Sequence, residues 1–250
     1  MSKQFYSQLF DFLNDNQIEY ELDSNKIRFK QYSFSLFLVL ENDTNTVAKF
    51  VDFREKEKFD HNKYLIFVWF DIWTLKKEVV ISKITHLLGL SSKIHARKTK
   101  IVLIDKEKCN SFFLENHLNK PVIGYKRIGL ELDGELIALG SFAKRRKFRD
   151  DTYSAELLQF ATKNGHHVNG GLSKIIKGFT KIHSIQSLMT YVDLDWSEGH
   201  KFNNIGFDFI SIKEDIYFNI INELRTFSEH TTSIFSLGAK KYSLKINNND

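Results

Sequence analysis

HHVNGGLSKIIKGF, residues 166–179, is the stretch on which the fold reading turns. A short β-prone run ends at Asn169, two glycines follow, and an amphipathic pattern over 172–181 predicts a helix. Paired glycines ahead of a helix leave several backbone N–H groups free at its N terminus, an arrangement suited to holding phosphate. The plain alternative is a helix start that uses glycine only for its backbone geometry.

Working outward, SLMTYV (187–192) reads as the next strand, followed by a short helix near 199–204 and a strand at 207–212. Upstream, RIGLEL and ELIALGSF are joined by Asp133-Gly134, a dipeptide that tolerates positive φ and so suits a tight hairpin. A third strand is expected at about 153–161, after the loop KRRKFRDD, and a strand at 100–104 precedes a helix over 105–118. Antiparallel strands followed by a strand–loop–helix–strand crossover predict an α/β unit over about 126–212.

The first part of the chain has a different texture. Phe5, Leu9, Phe12 and Leu13 share one helical face, and then IEYEL, KIRF, YSFSLFLVL, VAKFVDF and YLIFVWF read as strands of a small mixed sheet with helices. Helical spacing returns over 73–90 through Val80, Ile84, Leu87 and Leu88, with Gly89 suited to a left-handed helix end. The basic stretch SSKIHARKTK (91–100) reads as the junction, so the expected division is 1–90 and 91–250, α+β followed by α/β.

With 42% hydrophobic and 27% charged residues the chain can bury a core. Its longest apolar run, Leu65 to Phe70, is too short to span a bilayer, and the polar N-terminal residues show no signal-peptide pattern, so the expected place is the cytoplasm, without a membrane partner. A single cysteine, Cys109, excludes an internal disulfide and a thiolate zinc cluster. His166 and His167, adjacent in a strand, point to opposite faces, so no metal is expected there. No Gly-x-Ser-x-Gly motif offers a hydrolase nucleophile.

The net charge of +5 is compatible with a polyanionic partner. Lys144, Arg145, Arg146, Lys147 and Arg149 crowd one loop, with Arg97, Lys98 and Lys100 in the junction, and such residues can contact nucleic-acid phosphates. A solvated turn partly neutralised by Asp150 and Asp151 is the alternative.

In its glycine loop and in EGHKFNNIGFDFI (198–210), the chain resembles the GNAT N-acyltransferases. The resemblance implies a GNAT-like acyltransferase fold, with acetyl-CoA or another acyl-CoA as cofactor. It places Asn169, Gly170, Gly171, Leu172, Ser173 and Lys174 at the cofactor pyrophosphate. Glu156, Asp193 and Asp195, at or near strand ends flanking the expected cleft, are candidate general bases, or else ordinary loop carboxylates. Two residues depart from the family pattern: Leu172 stands where a small residue lets the loop approach the cofactor. Phe202 stands where many members carry the tyrosine that protonates the leaving thiolate, and a phenyl ring has no proton to give.

A longer succession over roughly 70–212, from FDIWTLKKEVVISKITHLLG through FFLENHL and LIALGSF to MTYVDLDWSEG, resembles phage-encoded Hef-like homing endonucleases. That resemblance implies a Vsr-like nuclease module of the PD-(D/E)xK type at 1–90 and a GNAT-like domain after it. Cleavage would need carboxylates that hold Mg²⁺ beside the scissile phosphate. Ser35 falls where the metal-binding aspartate is expected, and Lys49 and Asp52 are in the wrong arrangement, so the nuclease centre reads as lost. Two functions follow: a nucleic-acid-associated protein of mobile-element descent with DNA as partner, and an acyl-CoA-dependent N-acyltransferase. A GNAT scaffold serving as a binding module without either ligand is the third.

Overall fold

The computed structural model describes residues 2–40, 47–213, 216–221, 224–227 and 235–246, excepting the side chains of 2–4, 47–51, 216–221, 224–227 and 235. The chain forms two compact units that interleave in sequence. The first comprises 1–77, 192–199 and 212–240; the second comprises 78–191, 200–211 and 241–250.

The first unit opens with α1 (Ser2–Asp15), whose Phe5, Leu9 and Leu13 are buried as their helical spacing predicts. Strands β1 (Tyr20–Asp23), β2 (Lys26–Phe29) and β3 (Phe34–Val39) run antiparallel in sequence. Helix α2 (Val47–His61) crosses over to β4 (Tyr64–Trp69), which lies parallel to β3 in a four-stranded sheet of order β1-β2-β3-β4. Both β3 and β4 are almost continuously buried, as expected of strands covered on two faces. Phe37, Val39, Leu65, Phe67, Trp69, Leu194 and Leu237 form one core cluster, with Phe53 of α2 packed on it.

The reading of VAKFVDF as a strand is corrected by α2. The seven residues look β-prone alone, but they run into REKEKFDH, whose Lys, Glu and Arg suit a helix interior. Only the segment up to Phe53 is rich in β-prone residues, and seven positions are too few to separate a strand from helical spacing.

Helix α3 (Phe70–Leu87) follows, with non-helical backbone at Lys76. Its end is a Schellman turn: Gly89 has φ +76°, and Leu90 N donates to Thr85 O while Gly89 N donates to His86 O. The stretch 91–100, expected as the junction, is largely structured. Residues Ser92–His95 form β5 and Ala96–Lys98 a 3₁₀ turn.

Next come β6 (Lys100–Leu103), α4 (Lys106–Asn116), β7 (Lys126–Leu132), β8 (Glu135–Phe142), β9 (Arg146–Lys147) and β10 (Tyr153–Thr162). Asp105 caps α4, accepting from Lys108 N at 2.7 Å. The β7–β8 hairpin turns at Asp133 and Gly134, with φ of 50° and 84°. These are the positive values its dipeptide predicts.

The chain continues through β11 (His166–Asn169), α5 (Gly171–Ile182), β12 (Ser187–Asp193), α6 (His200–Asn203) and β13 (Phe207–Lys213). Strands β14 (Ile216–Ile221), β15 (Leu224–Phe227) and β16 (Phe235–Ser236) form a small antiparallel sheet, and β17 (Ala239–Lys245) closes the description.

The large sheet has the order β13-β17-β12-β10-β8-β7-β6, with β9 added beside β10. Strands β6, β7, β8 and β10 pair antiparallel, whereas β10 and β12 are parallel and joined by the β11–α5 crossover. This is the mixed arrangement expected from the sequence. Phe113, Cys109 and Phe112 of α4 pack with Leu136, Leu139 and Ala161. Helix α5 packs on β7 and β8, its Phe179 stacked on Phe142 with ring centroids 4.1 Å apart. Close approach is needed there: a Cβ at Gly140 would lie 2.6 Å from Ile175 Cγ2.

Candidate functional site

The start of α5 is set by two glycines that serve different physical ends. Gly170 is the N-cap in the left-handed region, with φ 74° and ψ 8°, and supplies no side-chain cap. Gly171 is buried, and a Cβ there would sit 3.0 Å from Val168 Cβ. A helix beginning this way offers its first-turn N–H groups to something other than its own cap, at the positive end of its dipole. Asn169, Leu172 and Ser173 are all half-buried around this turn.

Lys174 does not reach toward the turn. Its Nζ donates to Ala96 O at 2.8 Å and to Thr99 O, so it ties α5 to the carbonyls of the 3₁₀ turn. Among the residues expected at the cofactor, it is the one with an evident structural role.

The parallel ladder between β10 and β12 spans only Ser154↔Ser187 to Leu157↔Thr190, and Thr190 Oγ1 donates to Leu157 O at 2.9 Å as it closes. Beyond this point β10 continues to Thr162 without pairing to β12. The pairing of β10 with β8 also shifts between Leu157 and Gln159. A bulge next to the point where two parallel strands part is a common way to open a crevice at strand ends.

The three candidate bases fall in different units. Glu156, half-buried on β10, belongs to the second unit; Asp193 and Asp195 belong to the first. Asp195 is 3% exposed. Its Oδ2 accepts from Trp69 Nε1 at 2.8 Å and its Oδ1 from Leu237 N at 2.9 Å. Asp193 Oδ1 accepts from Asp195 N at 2.9 Å. This pair organises its own unit, whereas Glu156 lies half-buried on β10.

Phe202 lies within an aromatic group, stacked on Tyr242 with centroids 5.6 Å apart and edge-on to Phe207 at 5.5 Å.

The cations expected on nucleic acid are spread. Arg97 and Lys98 sit in the 3₁₀ turn and Lys100 begins β6, all exposed. Of the loop group, Lys147 pairs with Asp151 at 2.5 Å. Arg145 lies 4.3 Å over the Tyr153 ring and donates to Ser184 O at 3.1 Å. Lys144, Arg146 and Arg149 are exposed around them.

The nuclease residues also have places. Ser35 is buried and donates to Glu57 Oε1 at 2.7 Å, Asp52 is exposed on α2, and the Lys49 side chain lies outside the described residues. Glu57, missed in the sequence, is fully buried. Its Oε2 also accepts from Lys26 at 2.8 Å, and Arg28 Nε donates to both oxygens at 3.2 and 3.3 Å. Among the described residues no three His, Cys, Asp or Glu side chains converge on a metal-sized site, and no helix is long and apolar enough to cross a membrane.

A mixed sheet with α4 and α5 packed on it, a parallel pair joined through a glycine-led helix, and that pair parting at its carboxyl ends define an α/β class in which ligands sit at strand ends. Over some 60% of its length the chain is similar in structure to solved acetyltransferases. One is a Bacillus subtilis acetyltransferase in complex with CoA, at 16% identity over 60% of this chain and 100% of that one, TM-score 0.43. A GNAT family acetyltransferase from Elizabethkingia anophelis with acetyl-CoA bound matches at 11% identity over 60% and 99%, TM-score 0.37. An IAA acetyltransferase from Bacillus cereus matches at 14% over 59% and 99%, TM-score 0.40. At these scores the fold reading rests on the strand order and crossover, not on the likeness. No family model and no curated protein sequence matches the chain.

Proposed function

We propose that the second unit binds an acyl-CoA, with its pyrophosphate at the N terminus of α5, and that amine acylation is the reaction class. The observation that carries this is the uncapped first turn of α5 at Gly170 and Gly171, close in sequence to β10, the strand that parts from β12 beyond Leu157. Backbone N–H groups there supply donors for phosphate oxygens, and the parted strands leave room for an extended thioester arm. In the transfer itself an amine attacks the thioester carbonyl, loses its proton to a base, and releases the CoA thiolate. Glu156 is the candidate base. Phe202 gives the thiolate no proton, so solvent or another donor must do so.

A thermal-shift titration with CoA and acetyl-CoA tests the reading, because a ligand held only by the folded state raises its apparent stability. The expected result is a saturable rise that Leu172→Glu abolishes, since a carboxylate at the turn would repel the pyrophosphate. No rise at millimolar CoA would sink it.

A second reading is a nucleic-acid-associated protein of mobile-element descent whose cleavage centre is lost. The exposed cations at 97–100 and 144–149 favour contact with phosphates. Salt-dependent retention on duplex DNA, weakened by Arg146→Ala with Arg149→Ala, would favour this reading.

A further inference from the structure

Strands β5 and β11 form a two-stranded parallel ribbon in the register His166↔Ser92, His167↔Lys93, Val168↔Ile94 and Asn169↔His95. Side chains alternate across such a ribbon. Val168 points to the α5 side, against Gly171. Its neighbours His167 and Asn169 therefore point the other way, and there they line a cavity of about 290 Å³ together with His86, Gly89, Ser91 and Lys93. Asn169 is thereby set apart from the other residues expected at the cofactor, which start α5 on the Val168 side of the ribbon.

Three features of this cavity call for a ligand. Ser91 is 8% exposed, and its Oγ is buried without a hydrogen-bond partner. A buried hydroxyl left unbonded costs stability, so an orphan of this kind needs a reason. The rings of His86 and His167 are stacked, centroids 4.3 Å apart and planes 26° from parallel. Lys201 Nζ lies 3.3 Å from His86 Nε2, which puts an ammonium donor against the imidazole lone pair.

The charged groups acting on the two rings are cations from every side. Lys83 of α3 and Lys201 of α6 act on His86, and Lys93 of β5 and Lys201 act on His167, whose ring also bonds the Asn169 side chain. Burial first, and then these cations and the neighbouring ring, push His86 down to about 4; burial and lysine charge lower His167 as well. The pair is thus neutral and surrounded by positive charge, a field that an anion would relieve.

We propose that this cavity binds a phosphate-class oxyanion, held by the Ser91 hydroxyl, the Lys93 and Lys201 ammonium groups and the Asn169 amide. A tetrahedral oxyanion is acceptor-rich, matching the donors that the Ser91 hydroxyl, the lysine ammonium groups and the Asn169 amide nitrogen can offer.

The test is titration of the full chain with inorganic phosphate, following the imidazole proton resonances and the heat of binding across pH. Saturable binding should move the His86 titration upward by about a unit or more, as an adjacent opposite charge does. Ser91→Ala should weaken phosphate about tenfold, the cost of one bond to a charged group. The same variant should leave the ligand-free protein as stable or slightly more so, because its hydroxyl has no partner to lose. Imidazole titrations unmoved by millimolar phosphate would overturn the proposal. So would a response to CoA alone, which would return the cavity to the cofactor site. Phosphate binding without any CoA response would uphold it while removing the acyl-CoA reading.

Discussion

Trp69 donates its indole N–H to Asp195 Oδ2 across 2.8 Å, joining residues 126 apart in the chain. Asp195 Oδ1 holds Leu237 N in the same way, so both oxygens of a carboxylate that sequence offered as a general base serve to bind the segment 192–199 to the sheet of the first unit. Asp195→Ala removes two acceptors and strands a buried indole N–H. A loss of about 2–4 kcal/mol in urea unfolding is expected. CoA-induced stabilisation, measured as a shift relative to the variant's own baseline, should persist; its disappearance would restore Asp195 to the ligand site.

Glu57 is the buried carboxylate of the first unit, and removing its charge leaves Lys26 and Arg28 facing a neutral group. Glu57→Gln should cost about 3–5 kcal/mol, as breaking a buried ion pair does. Burial raises the carboxyl, but hydrogen bonds from Lys26 and Ser35 and the charges of Lys26 and Arg28 outweigh it and hold Glu57 below the ordinary carboxylate range. The stabilisation is therefore present above the unfolded carboxylate range and is lost as pH falls through the lowered folded value. The difference in unfolding free energy between wild type and E57Q should shrink on acidification; a difference that grows would contradict the assignment.

Gly170 occupies φ 74° with open space around it, the nearest atom to an added Cβ being Ala96 Cβ at 3.8 Å. Gly170→Ala thus meets a backbone cost and no steric one, about 1–2 kcal/mol. Chemical denaturation measures it. Gly171→Ala, in contrast, meets Val168 at 3.0 Å and should perturb packing at the helix start, visible as changed amide shifts along β11.

Cys109 is fully buried against Phe112, Phe113 and the sheet, and burial pushes its thiol up to about 11. A thiol held neutral and inaccessible is a poor nucleophile. Labelling by a thiol reagent at pH 7 should follow unfolding, and prompt labelling of the native protein would show that α4 opens.

What the sequence determined is what lies within reach of local pattern. Asp133-Gly134 specified its hairpin because both residues accept positive φ, Gly89 specified the end of α3, and the apolar run from Leu136 and the helical face from Ile175 fixed a strand and a helix that pack together. The mixed α/β order of the large sheet was legible for the same reason. The run VAKFVDF was not, since seven β-prone residues leave the period open until the charged continuation is taken with them.

The tertiary structure alone decided which distant residues meet. His86 stacks on His167 and Ser91 faces the same cavity because the chain leaves α3 at Gly89 and returns in β5 as a parallel partner of β11. Parallel pairing between segments about 75 residues apart carries no local sequence mark, because it is set by non-local backbone hydrogen bonds. Likewise β17 enters the sheet between β12 and β13. Burial of Asp195 and Glu57 was equally invisible: a carboxylate looks the same in sequence whether water or three donors surround it, and only the fold brings the donors.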